Sequence, residues 1–420
     1  MRTTLRRSSL TQPTHYKPTS CLLCGSDDLS LALPLARSAI GNDYLHKRQP
    51  QERFALSLHL CRACGNVQIE DVVNPDLLFR AYTYSTTSSL GLPEHFRKSA
   101  SQIASQTGAP RGSLVVDIGS NDGSLLKAFR DLGYRVVGVD PAVEIAERAT
   151  AEDVPTLAEY FTPDVAQSIL DEHGPASVVT ANNVFAHSDT LPSMADAVCM
   201  LLAPDGLFTF EVSYLLDIVQ KMLFDTVYHE HLCYHSVRSL RSFFALHCLE
   251  LIDVQRISTK GGSLRCTVQL VGGKRQVSPS VGQLVEWESL CRLHCLDTFQ
   301  AYARRITSAR EQFVGLLDRC RAAGKIIAGY GASPTVTTLI DQFDLAGRLD
   351  FLVDDNPVKQ HTFSPGHSIP VYPSEALYER DADVVAVLAW QYVTPIVAKN
   401  RKFVDAGGRF AIPLPLTQLV

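Results

Sequence analysis

Leu114-Val115-Val116-Asp117-Ile118-Gly119-Ser120-Asn121-Asp122-Gly123-Ser124 is the stretch from which the fold can be read. A strand-forming run, Leu114 to Ile118, enters a turn carrying glycines at 119 and 123. Leu125 to Leu132 then takes on helical apolar spacing, and Arg135 to Val139 returns as a second strand. This is one strand–helix–strand unit, the opening of a parallel sheet. Strand patterns at Ser177–Thr180 and Leu207–Val212, with helical stretches between, extend a doubly wound sheet to about residue 215.

Downstream, one long helical pattern runs from Gln283 to Arg321 and stops at Ala322-Ala323-Gly324. A second unit of the same type follows: strand Lys325–Gly329, turn Tyr330-Gly331-Ala332-Ser333-Pro334, helix Thr335–Phe343 and strand Leu349–Val353. Upstream, short apolar runs lie between turns, and Phe54-Ala55-Leu56-Ser57-Leu58-His59-Leu60 alternates as a half-buried strand does. The expected fold is α/β, with a small β-rich module at 17–85, a Rossmann-like domain with an insertion at 86–321 and a second Rossmann-like domain at 322–420. Residues 1–16, with Arg2, Arg6 and Arg7 and no acid, read as a mobile tail.

Composition agrees with several globular domains: 420 residues, 45% hydrophobic and 20% charged. Lys and Arg number 39 against 44 Asp and Glu, a net charge of −5 without the basic footprint of nucleic-acid binding. No run of about 20 apolar residues is present to span a bilayer, and the N-terminus has no apolar export segment. The 11 cysteines are therefore expected as reduced thiols in the cytoplasm.

Four of those cysteines form two knuckles, Cys21-x-x-Cys24 and Cys61-x-x-Cys64, each followed by glycine. Two knuckles supply four soft ligands for a tetrahedral ion, the pattern of a structural zinc site. With every coordination position filled by protein, the metal holds the module folded and does no chemistry.

The glycine turn at 119–123 lacks the Gly-x-Gly-x-x-Gly fingerprint of nicotinamide binding. Its preceding strand ends in Asp117 and the second strand ends in Asp140, where an acid can accept both ribose hydroxyls of a nucleoside. Asp117 and Gly119 at an amino-acid end, and Asp140 at a ribose, is the arrangement expected for S-adenosylmethionine, with Asn121, Asp122 and Gly123 in the same turn. Asn182-Asn183-Val184-Phe185-Ala186-His187 follows a strand and so lies at a carboxyl edge, where open α/β sheets bind ligands.

Tyr228-His229-Glu230-His231-Leu232-Cys233-Tyr234-His235 admits two readings. His231 and His235, four apart on a helical face, can hold a metal. Alternatively, Tyr228, Glu230 and His231 form an acid/base set in which a carboxylate orients a histidine base. Tyr82-Thr83-Tyr84-Ser85 stands where it can fold over the same pocket.

Taken together, the knuckles, the Ile118-to-Gly123 turn, Asn182-x3-Ala186-His187 and Tyr228-His229-Glu230-His231 resemble the nucleotide-sugar C-methyltransferases of deoxysugar and antibiotic biosynthesis. The likeness continues through Gly329-Tyr330-Gly331-Ala332, Val353-Asp354-Asp355-Asn356-Pro357-x-Lys359-Gln360 and Ser364-Pro365-Gly366, covering about residues 20–375 in one order. It implies a zinc-binding N-terminal domain, a central S-adenosylmethionine domain and a C-terminal domain that helps hold the nucleotide sugar. The implied substrate is a dTDP-linked 4-keto-deoxysugar, methylated on the ring carbon beside the ketone. His231 is then the proton-abstracting base, with Tyr228, Glu230, His187 and Tyr82 lining its pocket. Such chemistry needs an enolate stabilised by hydrogen bonds and no metal, which favours the acid/base reading. In one departure, the family's C-terminal turn usually continues through Lys-Gly, whereas this chain has Ser333-Pro334; Lys359 or Lys260 can replace the charge. The expected partner is a nucleotide-linked ketosugar, with no nucleic acid or membrane, for a monomer or weak homo-oligomer. The alternatives are a nucleotide-sugar-binding protein without catalysis and methylation of a non-sugar acceptor.

Overall fold

Strand Leu114–Ile118 is buried at every residue and Arg135–Val139 at all but the first, so neither alternates, as expected of strands covered on both faces. The computed structural model describes residues 13–80, 86–88 and 91–420. Among them, the three larger sheets have seven, six and four strands.

The seven-stranded sheet runs in the order 249–257, 263–270, 202–213, 176–182, 114–118, 135–139, 156–157. The last five strands are mutually parallel, and the first two form an antiparallel hairpin at one edge. The sheet therefore extends past residue 215 to Leu270. A bulge between Leu251 and Asp253 breaks the alternation that would have announced the hairpin.

The 283–321 pattern is two helices, Pro279–Leu290 and Leu296–Ala322, broken where Arg292 takes φ +51°. Arginine is a good helix former, so nothing local marks the break. The second helix buries Phe299, Tyr302, Ile306, Ala309, Phe313 and Leu317, a single stripe. It leads into the six-stranded sheet, ordered 371–372, 351–353, 327–330, 384–387, 409–412, 418–419 and parallel except for its last strand.

In the N-terminal module Phe54, Leu56, Leu58 and Leu60 are all buried, although regular pairing begins only at Leu58. The expected tail ends earlier than residue 16: His15–Tyr16 pairs with Val72–Val73, and the Tyr16 hydroxyl donates to Asp189 at 2.7 Å. The four-stranded sheet takes its edge strand, Cys233–Tyr234, from far along the chain. One continuous apolar core runs from Cys21 to Leu414 through all three sheets. Asp341 reinforces the junction, accepting from Ser38 and Arg53 of the N-terminal module and from His367 at 2.6 Å.

Candidate active site

Loops at the carboxyl ends of strands 114–118, 135–139 and 176–182 enclose a cavity of about 280 Å³. Asp140 stands at its floor, with one carboxylate oxygen accepting from the Asn121 N–H and the other from the Ala142 N–H, each at 2.9 Å. Burial raises its pKa. Each oxygen keeps a lone pair, which suits a pair of ribose hydroxyls. Asp117 accepts from the Thr180 hydroxyl at 2.6 Å, and burial, then the neighbouring Asp140 charge, pushes it up to about 7.

Gly119 has φ +69°, and a Cβ there would lie 2.3 Å from Val184 Cγ2, so a side chain would close the approach between the two loops. Asn121, at φ +48°, accepts the Thr86 N–H on its amide oxygen at 2.9 Å. Asn182 and Asn183 line the opposite wall. The Asn182 Nδ2 is a buried donor with no partner among the described residues, which fits a bound polar group. These residues fit S-adenosylmethionine. Asp122 and Gly123 stand behind the turn and do not line the cavity: Asp122 accepts from the Ser124 hydroxyl at 2.6 Å and the Thr87 N–H at 2.9 Å, while Gly123 packs on Val154.

Tyr228, Glu230 and His231 join this cavity from the other side. The segment is not a helix. A short 3-10 turn, Phe224–Thr226, precedes a tight turn closed by the His231 N–H on the Tyr228 carbonyl at 2.9 Å, and the chain then extends into strand Cys233–Tyr234. His231 and His235 therefore share no helical face. His235 is buried and bonds the Phe185 carbonyl at 2.7 Å, which corrects the metal reading. His229 points elsewhere, buried edge-on against Phe54 with ring centroids 5.5 Å apart.

The His231 ring lies 4.1 Å from Tyr228 and 5.1 Å from His187, which stacks in turn on Phe79. Its Nδ1 sits 2.8 Å from the Thr226 carbonyl oxygen. A carbonyl only accepts, so Nδ1 carries the proton and Nε2 keeps its lone pair. Burial, assisted by the charge of Lys260, pushes His231 down to about 4; burial also lowers His187. At neutral pH His231 is an uncharged imidazole.

Tyr82, with Thr83, Tyr84 and Ser85, lies outside the described residues. Of the two candidate cations, Lys260 lines the cavity, whereas Lys359 is buried and donates to Asn42 Oδ1 at 2.6 Å over the Tyr44 ring. Ser333-Pro334 starts the helix Pro334–Phe343. Glu159, Tyr160, Phe161 and Thr162 also line the cavity but went unread in the sequence. They follow a strand of two residues, Thr156–Leu157, too short for a periodic pattern; its place after the second helix of the sheet was the available signal.

Away from the cavity, the Sγ atoms of Cys21, Cys24, Cys61 and Cys64 lie within 4.8 Å of one another. Cys21–Cys64 and Cys24–Cys61 are 3.7 and 3.6 Å apart. A tetrahedron with Zn–S bonds of about 2.3 Å has edges of about 3.8 Å, so the four thiolates fit zinc. The Asn66 N–H approaches Cys64 Sγ at 3.4 Å, an outer partner of the kind that fixes ligand orientation.

Comparison with known proteins follows the same division. Residues 21–79 match the family described as "Putative zinc binding domain", 94–253 a methyltransferase domain and 258–415 a C-methyltransferase C-terminal domain. The C-methyltransferase NovU of Streptomyces niveus is 33% identical over 406 residues, covering 95% of this chain and 96% of that protein. A ubiquinone biosynthesis O-methyltransferase of a Methylobacterium strain is 32% identical over 100 residues, 23% of this chain and 39% of its own. Magnesium protoporphyrin IX methyltransferase of Synechocystis, solved with bound SAM, is 15% identical with a TM-score of 0.33, covering 43% of this chain and 79% of that one. With a relative matched almost end to end and the matched families in the same order as the sheets, this chain belongs to the C-methyltransferase family.

Proposed function

We propose that the protein is an S-adenosylmethionine-dependent C-methyltransferase acting on the carbon beside the ketone of a nucleotide-linked, dTDP-type 4-keto-deoxysugar, with His231 as general base. The observation that carries this reading is the His231 Nε2 lone pair, oriented by the Thr226 carbonyl, in the same cavity as the Asp140 carboxylate. When bound, S-adenosylmethionine supplies an electrophilic methyl group; Asp140, Asp117, Gly119, Asn182 and Asn183 would hold it.

His231 Nε2 takes the proton from the substrate carbon and becomes imidazolium, leaving an enolate. The Tyr228 hydroxyl and the Lys260 ammonium stabilise the charge developing on the enolate oxygen. The new carbon–carbon bond forms as the carbon–sulfur bond breaks, and His231 returns its proton to solvent. His187 and Phe79 wall the base from water, and Glu230 faces the substrate. The 322–420 unit helps hold the nucleotide, and all 11 cysteines are free of disulfides, which supports action in the cytoplasm.

The test is deuterium exchange from D2O into dTDP-4-keto-6-deoxyglucose by the enzyme without S-adenosylmethionine. Exchange at the carbon beside the ketone is expected; the absence of exchange at any carbon would falsify the reading.

Two smaller predictions follow from the same geometry. Asp140→Ala should weaken S-adenosylmethionine binding by at least about tenfold in calorimetry, since two hydrogen bonds to a carboxylate are lost. In donor-free deuterium exchange, which does not depend on the Asp117 carboxyl at the methyl donor's place, the pH profile should show no break near the ordinary histidine range. Because the pKa of His231 is depressed to about 4, the base stays unprotonated from neutrality down to about pH 5. Protonation, and with it loss of exchange, then sets in as pH falls toward about 4. An acid limb centred near 6.5 would contradict the assignment.

A further inference from the structure

The carbonyl that fixes the tautomer of His231 is itself held by the C-terminal unit. Thr226 sits between Asp225 and Val227. The Trp390 indole N–H donates to Asp225 Oδ2 at 2.8 Å, and the Thr338 hydroxyl donates to the Val227 carbonyl at 2.8 Å. Asp225 and Thr338 are both 1% exposed, so neither bond has water to replace it. Phe224 stacks on Phe343 at 5.3 Å, on the same helix as Thr338. The peptide that carries the Thr226 carbonyl is thus clamped on both sides by residues more than a hundred positions away in the chain.

We infer that Trp390 and Thr338 are positioning residues for the base: by clamping 225–227 they hold the Thr226 carbonyl against Nδ1–H and keep Nε2 as the basic nitrogen. The clamp matters because an unconstrained neutral imidazole moves its proton between the two nitrogens, and the tautomer protonated at Nε2 has no lone pair to offer the cavity. The inference rests on His231 being the base, and it gives the C-terminal unit a part in the proton transfer besides holding the nucleotide.

The test uses the full-length zinc-loaded protein labelled with 15N-histidine. The His231 ring signals, identified by their loss in His231→Asn, report which nitrogen carries the proton. Wild type is expected to show the proton on Nδ1. Trp390→Phe and Thr338→Val, made separately so that one misfolded variant does not end the test, should shift His231 toward the Nε2-protonated form. Thr338→Ser, which keeps the hydroxyl, should not. With dTDP-4-keto-6-deoxyglucose, both disrupting variants should lower the donor-free exchange rate about tenfold at unchanged KM, the effect of one lost hydrogen bond. S-adenosylmethionine affinity should be unchanged. A His231 proton that stays on Nδ1 in both variants overturns the inference. A proton that moves as expected, without exchange in any variant or in wild type, supports the clamp and counts against the ketosugar acceptor instead.

Discussion

Replacing His231 with asparagine is expected to lower methyl transfer by roughly 10²–10⁴-fold, the span of a general base, while S-adenosylmethionine binding persists. Asparagine keeps a side-chain N–H able to reach the Thr226 carbonyl, so the loop need not collapse, but it has no lone pair of useful basicity. The measurement pairs product formation with calorimetric affinity for the methyl donor. Loss of both together would mean that His231 supports the cavity's shape, and unchanged turnover would remove it from the mechanism. Donor-free deuterium exchange should fall by the same factor as turnover if proton removal limits the rate.

Removing zinc is expected to be as damaging, although no cysteine ligand lines the cavity. The knuckles close the sheet that contains Leu58–Cys61 and Val67–Ile69. Cys233–Tyr234 adds to the edge of that sheet, and the Ile69 N–H donates to the Leu232 carbonyl at 3.0 Å, one residue from His231, the proposed base. Zinc bound by four thiolates contributes folding energy outright. Treatment with a chelator, or Cys61→Ser, should therefore lower the melting temperature and abolish turnover in step. Metal content, thermal unfolding and activity measured on the same samples check this. Full activity in metal-free protein would show that the sheet holds its edge without the ion.

Both results depend on contacts between distant parts of the chain, and here the reading from sequence was uneven. The two strands of the 114–139 unit were legible to the residue, and its helix, Ser124–Asp131, to within one, because buried parallel strands are continuous apolar runs and the glycine turn has a backbone reason. The four cysteines were legible from ligand spacing, and Asp117, Asp140, Asn182, Asn183, His187, Tyr228, Glu230 and His231 do meet in one cavity. Asp122 stands outside the cavity, and a carboxylate that ties a turn to its neighbours, here Ser124 and Thr87, looks like a ligand-binding one in a glycine turn. The motif around His231 was open to a helical reading because four-residue spacing ignores the tertiary pairing that makes Cys233–Tyr234 a strand. The clamp of Trp390 and Thr338 had no local signal at all, since both are apolar-context residues whose partners are fixed only by packing.

The borrowed strand has a consequence for how the chain can be divided. A fragment ending before residue 228 would hold every zinc ligand yet leave Val67–Ile69 with an unpaired edge. Bare edges recruit strands from other molecules. Such a fragment is expected to self-associate until a peptide spanning 228–236 is supplied in trans, so that the metal unit and the loop around His231 behave as two halves of one complementation pair.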